Sequence, residues 1–242
     1  MSGENRKAIR ISVRNLVEFV LRSGDIDNRC SGNAQKDAML AGGRIHRKIQ
    51  KRMGSGYRAE VPLKHEVQDE EQEITLLVEG RADGIFAENG IPVIDEIKGM
   101  YTDISRLEEP IEVHLAQAMC YGYFYCCDKD LDGIRLQMTY CNLETEEIKR
   151  FQTDRSREEL ETWFSGVVHE YFKWARYLYH HELTRDASIG HLEFPFPYRA
   201  GQRDLVVSVY RTVSRKKRLF IQAPTGIGKT LSTVFPAVRA IG

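Results

Sequence analysis

Glu96 and Lys98 stand two residues apart in Val93-Ile-Asp-Glu-Ile-Lys98, a run otherwise apolar enough to be an inner strand. Alternate residues of a strand share a face, so Ile94, Glu96 and Lys98 point one way and Val93, Asp95 and Ile97 the other. Charges in a central strand need partners. Asp83, in Gly80-Arg-Ala-Asp83-Gly84, ends a neighbouring strand and can complete the set. Two carboxylates at oxygen-ligand distance suit Mg2+ or Mn2+. A lysine beside them could orient or activate a water, or neutralise a phosphate, which is the equipment of metal-assisted phosphodiester hydrolysis. The plainer reading of the same residues is a Glu–Lys ion pair without chemistry.

A second group lies near the other end. Leu219-Phe-Ile-Gln-Ala-Pro-Thr-Gly-Ile-Gly-Lys-Thr230 reads as an apolar strand, a glycine-containing loop and a helix start. Gly226 and Gly228 would let backbone N–H groups wrap phosphates. Lys229 would supply charge to the β- and γ-phosphates, and Thr230 a hydroxyl to Mg2+. The general form of such a loop has a glycine where this chain has Ala223.

The elements that must position these residues follow from periodicity. Ile9, Val13, Leu16, Val17 and Val20 predict a helix over 7–21, and Met39, Leu40, Ile45 and Ile49 another over 33–53, basic in its second half through Arg44, Arg47, Lys48, Lys51 and Arg52. Strands are predicted over 57–67, 73–78, 82–86 and 91–98, the last led by the turn at Asn89-Gly90. The acidic run 69–73 reads as a solvated hairpin loop. A helix over 113–125, a hairpin of 133–141 with 146–151, and an amphipathic helix over 155–182 follow. That last helix carries a stripe of Leu160, Trp163, Phe164, Val167, Tyr171, Trp174 and Leu178. Phe194-Pro-Phe-Pro-Tyr198 breaks any helix. Beyond it a helix over 202–214 and a strand over 219–222 lead into the glycine loop.

The 242 residues include 35 Lys and Arg against 35 Asp and Glu. The balance excludes a globally basic nucleic-acid coat protein or an acidic tail, though not a local basic groove. No apolar run is long enough for a signal core or a membrane span. Cys30, Cys120, Cys126, Cys127 and Cys141 are odd in number and include an adjacent pair, which fits reduced thiols in a cytoplasm. They read as small buried apolar residues.

Upstream of the acids is His46, and downstream Gln117-Ala-Met-Cys-Tyr121 places Gln and Tyr on one helix face. A histidine on an early helix, an Asp, an acid-x-Lys strand and Gln-x-x-x-Tyr on the next helix, in this order, resemble the RecB-like branch of the PD-(D/E)xK nucleases over about residues 7–182. The resemblance implies that His46, Asp83, Glu96 and the backbone carbonyl of Ile97 hold the metal. It makes Lys98 the catalytic lysine and has Gln117 and Tyr121 position the site or the DNA backbone. Strand parity with Lys98 selects Glu96 over Asp95 as the ligand. Some relatives hold an iron–sulfur cluster on one early and three late cysteines; the late spacing here differs, which leaves such a cluster to a helicase part outside this chain.

Ala-Pro-Thr-Gly-x-Gly-Lys-Thr resembles the Walker A form of superfamily 2 helicases, and Phe196-Pro-Tyr-Arg-Ala-Gly-Gln202 the region before it in the XPD/DinG-like branch. That resemblance implies ATP contacts from Thr225, Gly226, Gly228, Lys229 and Thr230, with Gln202 reading adenine. The acidic Walker B strand and the second RecA-like domain of such a motor are not found after Thr230.

The expected architecture is therefore α/β. A restriction-endonuclease-like mixed sheet flanked by helices occupies 1–185, a linker 186–200, and the first piece of a P-loop motor 201–242. The expected function is that of a metal-dependent DNA nuclease domain of an ATP-dependent helicase, serving DNA repair or defence. The rival expectations are a non-cleaving DNA-binding accessory module and a plain nucleotide-binding protein with a partner-docking domain.

Overall fold

The computed structural model describes residues 6–23, 33–71 and 73–241, and, within the helix opening at Asn33, side chains from Leu40 onward. Cys30 and Met39 lie outside the described residues and side chains. The chain forms two compact units, 1–174 and 175–242.

The first unit is a six-stranded mixed sheet with helices on both faces. Its opening segment departs from the expected helix: Lys7–Ser12 is a strand, β1, and only Val13–Val20 is helical, α1. Ile9 and Ile11 alternate with exposed Ala8 and Arg10, and period-2 patterning holds a strand wherever a neighbour offers an edge. The Ser12 hydroxyl then accepts from the Asn15 backbone N–H, capping α1. Helix α2 spans Asn33–Arg52, and β2 Arg58–Gln68.

β3 (Ile74–Glu88) is one strand of 15 residues where two were expected. β2 pairs antiparallel with it along 75–85 on one edge. On the other edge β1 runs parallel to residues 74–79. β4 (Ile91–Met100) runs antiparallel to 84–88 on that same edge, across a two-residue turn in which Asn89 and Gly90 both have positive φ. Residues 80–83 thus face a gap between β1 and β4. Helix α3 (Glu112–Lys129) leads to β5 (Gly133–Asn142), parallel to β4, and β6 (Ile148–Ser156) closes the sheet antiparallel to β5.

α2 covers one face of β4 and β5, where Ile45 and Ile49 pack with Ile97 and Cys141. α3 covers the other. There a Cβ on Gly122 would meet Leu136 at 2.8 Å, so the glycine sets how closely α3 approaches the sheet. Helix α4 (Arg157–Gly190) runs without a break through residue 185. Leu160, Phe164 and Val167 of its stripe are buried, whereas Trp174 and Leu178 are exposed; Phe172 and Ala175 are buried instead. The hairpin at 69–73 is not wholly solvated, since Asp69 is buried and accepts from the Ile74 N–H. Cys120, Cys126 and Cys141 are buried thiols. No described helix is long and apolar enough to cross a membrane.

In the second unit, α5 (Gln202–Ser214) and α6 (Lys229–Arg239) pack together, and Arg239 donates to the carbonyls of Ile189 and Gly190 at the end of α4. The strand expected over 219–222 does not form. Phe220 is 94% exposed and Leu219 and Ile221 are exposed, because a lone strand among the described residues has no neighbour for its backbone groups.

Candidate active site

The gap in the β3 edge builds the site. Beyond Asp95 the β4 backbone leaves β3, and the Ile97 N–H donates instead to Asp83 Oδ2 at 2.7 Å. Asp83 Oδ1 meets His46 Nδ1 at 3.2 Å, and the Asp83 carbonyl accepts from Gln50 Nε2 at 2.9 Å. His46 and Gln50 are four apart on α2, so one helix face reaches both ends of the aspartate. Tyr121 enters the same gap from α3. A Cβ on Gly80 would lie 2.5 Å from its hydroxyl. A glycine at this point is what lets the tyrosine in.

Glu96 and Lys98 share a face, as parity requires, and meet at 2.8 Å between Oε1 and Nζ. Lys98 Nζ also donates to Gln117 Oε1 at 2.8 Å. Glu96 Oε2 is buried and has no hydrogen-bond partner. Burial, then the Asp83 carboxylate, push the Glu96 pKa up to about 7. Burial is the largest single influence on His46 and lowers its pKa, but the hydrogen bond to Asp83 together with the Asp83 and Glu96 charges leaves it raised. Burial raises the Tyr121 pKa, with Glu96 and Asp83 adding to the effect. His46 and Asp83 thus form one pair and Glu96, Lys98 and Gln117 a second group, near enough that the Asp83 charge acts on Glu96 and both carboxylates act on Tyr121.

Asp95 occupies the opposite face with every oxygen engaged. Oδ1 accepts from Thr139 Oγ1 at 2.6 Å and Gln137 Nε2 at 3.1 Å, and Oδ2 from the Tyr57 hydroxyl at 2.9 Å. Gly84 leaves room for the Tyr57 ring. Both oxygens of Asp95 are thus taken up by hydrogen bonds, whereas Glu96 keeps one oxygen that accepts none.

Sequence reasoning missed Gln50, whose signal is its place one turn after His46. It also missed His114 on α3, whose Nδ1 lies 3.4 Å from the Tyr140 hydroxyl. Burial first, and the Lys98 ammonium second, push the His114 pKa down to about 4. The fold holds the imidazole neutral, so this contribution is present in full above pH 6.5 and is lost as pH falls towards about 4. His65, stacked on Phe124, shifts in the same direction. We expect acid to destabilise the chain through His114 by on the order of 2–3 kcal/mol. Denaturant unfolding at pH 7 and pH 4.5 should show a smaller loss for His114→Gln; an equal loss would place the acid sensitivity elsewhere.

In the second unit, Gly226 and Gly228 have φ of 85° and 78°, and Lys229 opens α6. Lys229 Nζ folds back onto the carbonyls of Ala223 and Pro224 at 3.1 and 2.9 Å. Gln202 lies buried beneath the loop. Its Oε1 accepts from the Arg199 N–H and its Nε2 donates to the Ile227 carbonyl, while Arg199 bonds the Gly226 carbonyl. Thr225 and Thr230 are exposed.

No family model matches the chain. A probable ATP-dependent helicase of Methanocaldococcus jannaschii is 36% identical over 52 residues, which is 20% of this chain and 8% of the helicase. Among solved structures, the protein SSO0001 is 17% identical with a TM-score of 0.43, covering 70% of this chain and 78% of its own. An alkaline exonuclease from Laribacter hongkongensis is 10% identical with a TM-score of 0.39, covering 72% and 94%.

Proposed function

We propose that the first unit is a metal-dependent deoxyribonuclease domain, and that the second unit begins the ATP-binding motor of a DNA helicase whose unwinding feeds it. The observation that carries the nuclease reading is the buried, partnerless Oε2 of Glu96, on a carboxylate that the Asp83 charge already disfavours. A bare buried carboxylate oxygen is costly, and a divalent cation is the partner that would remove the cost. His46, Asp83, Glu96 and the Ile97 carbonyl offer one nitrogen and otherwise oxygen donors, a set that fits Mg2+ or Mn2+. Such an ion, when bound, supplies positive charge at the phosphate and a water of lowered pKa.

The protein's own groups do the rest. Lys98 has three N–H donors, of which Glu96 and Gln117 take two, and the third is left for a phosphate oxygen or the attacking water. Gln117 fixes the ammonium in that direction. Gln50 and the Ile97 N–H hold Asp83 in place, and Tyr121 fills the gap behind it. In the second unit, Gly226, Gly228, Lys229 and Thr230 would hold ATP phosphates. Gln202 and Arg199 would keep the loop open for them, and Lys229 must release two carbonyls to engage them.

The test is cleavage of labelled single- and double-stranded DNA with Mg2+ or Mn2+. Lys98→Ala should lower the rate on the order of 100-fold or more in a chain that still folds, with a lower unfolding midpoint because the buried Glu96 loses its ion-pair partner. Cutting by the variant at the wild-type rate would overturn the reading. A wild-type chain that binds DNA without cutting would make the domain an accessory module.

A further inference from the structure

The acidic site accounts for one phosphate, and the face of β2 and β3 beside it is built for a second. Lys64 lies opposite Glu79 in the β2–β3 register and Pro62 opposite Arg81. Residues directly opposite share a face, and Glu79 and Arg81 are alternate residues of β3, so Lys64, Glu79 and Arg81 project to one side. Lys64 and Arg81 are exposed and line a cleft of about 600 Å³ together with Ser12 and Glu79. Glu79 is already neutralised: Arg10 reaches both of its oxygens, at 2.9 and 3.0 Å. Lys64 and Arg81 have no ion-pair partner among the described residues, so the cleft carries two uncommitted positive charges. Arg81 stands two residues from Asp83, about 7 Å along the strand, comparable with the step between successive phosphates of an extended strand.

We propose that Lys64 and Arg81 bind the backbone of a DNA strand at a phosphate next to the one held at the acidic site, and so set the path of the strand across β3. The assignment rests on the nuclease reading for its substrate, and binding tests it apart from cutting. It also gives the Arg10–Glu79 pair a purpose, because an unpaired Glu79 would repel the strand from the same cleft.

The experiment is fluorescence anisotropy of the full chain with a labelled single-stranded oligonucleotide in EDTA, over a range of salt. Each phosphate contact on a single strand contributes about 0.7 to the slope of log affinity against log salt. Lys64→Ala with Arg81→Ala should therefore flatten the slope by about 1.4. Glu79→Gln frees Arg10 for the strand and should steepen it by about 0.7, a gain that a misfolded variant would not give. Wild-type slopes in both variants, or a wild-type chain that binds no oligonucleotide, would overturn the proposal. A flattened slope in a chain that never cuts would refute the nuclease reading and leave this one standing.

Discussion

Glu96→Gln should give a folded chain that has lost its cleavage activity and its response to metal. The wild-type carboxylate is almost fully buried, and one of its oxygens meets nothing. Neutralising it removes a desolvated charge next to Asp83. The amide can still accept from Lys98 through one oxygen, so the local hydrogen bond survives. In EDTA the variant should be at least as stable as wild type. With Mg2+ or Mn2+ present the wild type should gain in thermal midpoint, since an ion that binds only the folded chain stabilises it by mass action. The variant should not, and its cleavage rate should fall at least about 100-fold. Scanning calorimetry with and without metal, beside a cleavage assay, checks both halves. A variant that keeps the metal-induced shift would mean that the cation sits elsewhere.

Asp95→Ala should do the reverse and damage the fold before the chemistry. Three donors converge on this carboxylate, and Thr139, Gln137 and Asp95 itself are buried. Gln137 is tied onward to Gln152 of β6, so the network runs from β6 through β5 and β4 to Tyr57 at the mouth of β2. Truncation would leave buried donors unpaired at a cost of about 3 kcal/mol, read as a lower midpoint in urea. Asp95→Asn should be milder, because the Tyr57 hydroxyl can turn to accept from the new amide. If the alanine variant unfolds like wild type yet fails to cut, then Asp95 is the ligand and the parity argument chose the wrong acid.

The site was more legible than the sheet. Two-residue parity sufficed to put Glu96 on the face of Lys98 and Asp95 on the other, because inner strands alternate faces whatever their neighbours. The spacing of Gln117 and Tyr121 sufficed to put both on one side of α3. Pairing was not legible in the same way. Lys7–Ser12 carries apolar residues that fit a helix face as well as a strand, and only the free edge of β3 decides between them. Gly80 reads as a break between two strands, whereas its missing side chain is room for Tyr121. Leu219–Gln222 has a strand's composition, but composition supplies no partner for a backbone. Gln50 and Lys64 have no chemical signature of their own, and their relevance comes from which atoms the fold brings near them.

Asp83 and Glu96 would fare differently in a lineage that stopped cutting DNA. Asp83 takes the place of a rung that β4 no longer makes with β3, and His46 and Gln50 brace it from α2. Its loss would loosen the sheet whether or not the chain is an enzyme. Glu96 braces only Lys98 and costs the fold a buried charge, so drift would remove it first. A related chain that keeps the aspartate alone should therefore be read as having inherited the architecture, and one that keeps the glutamate as still under selection for what it does.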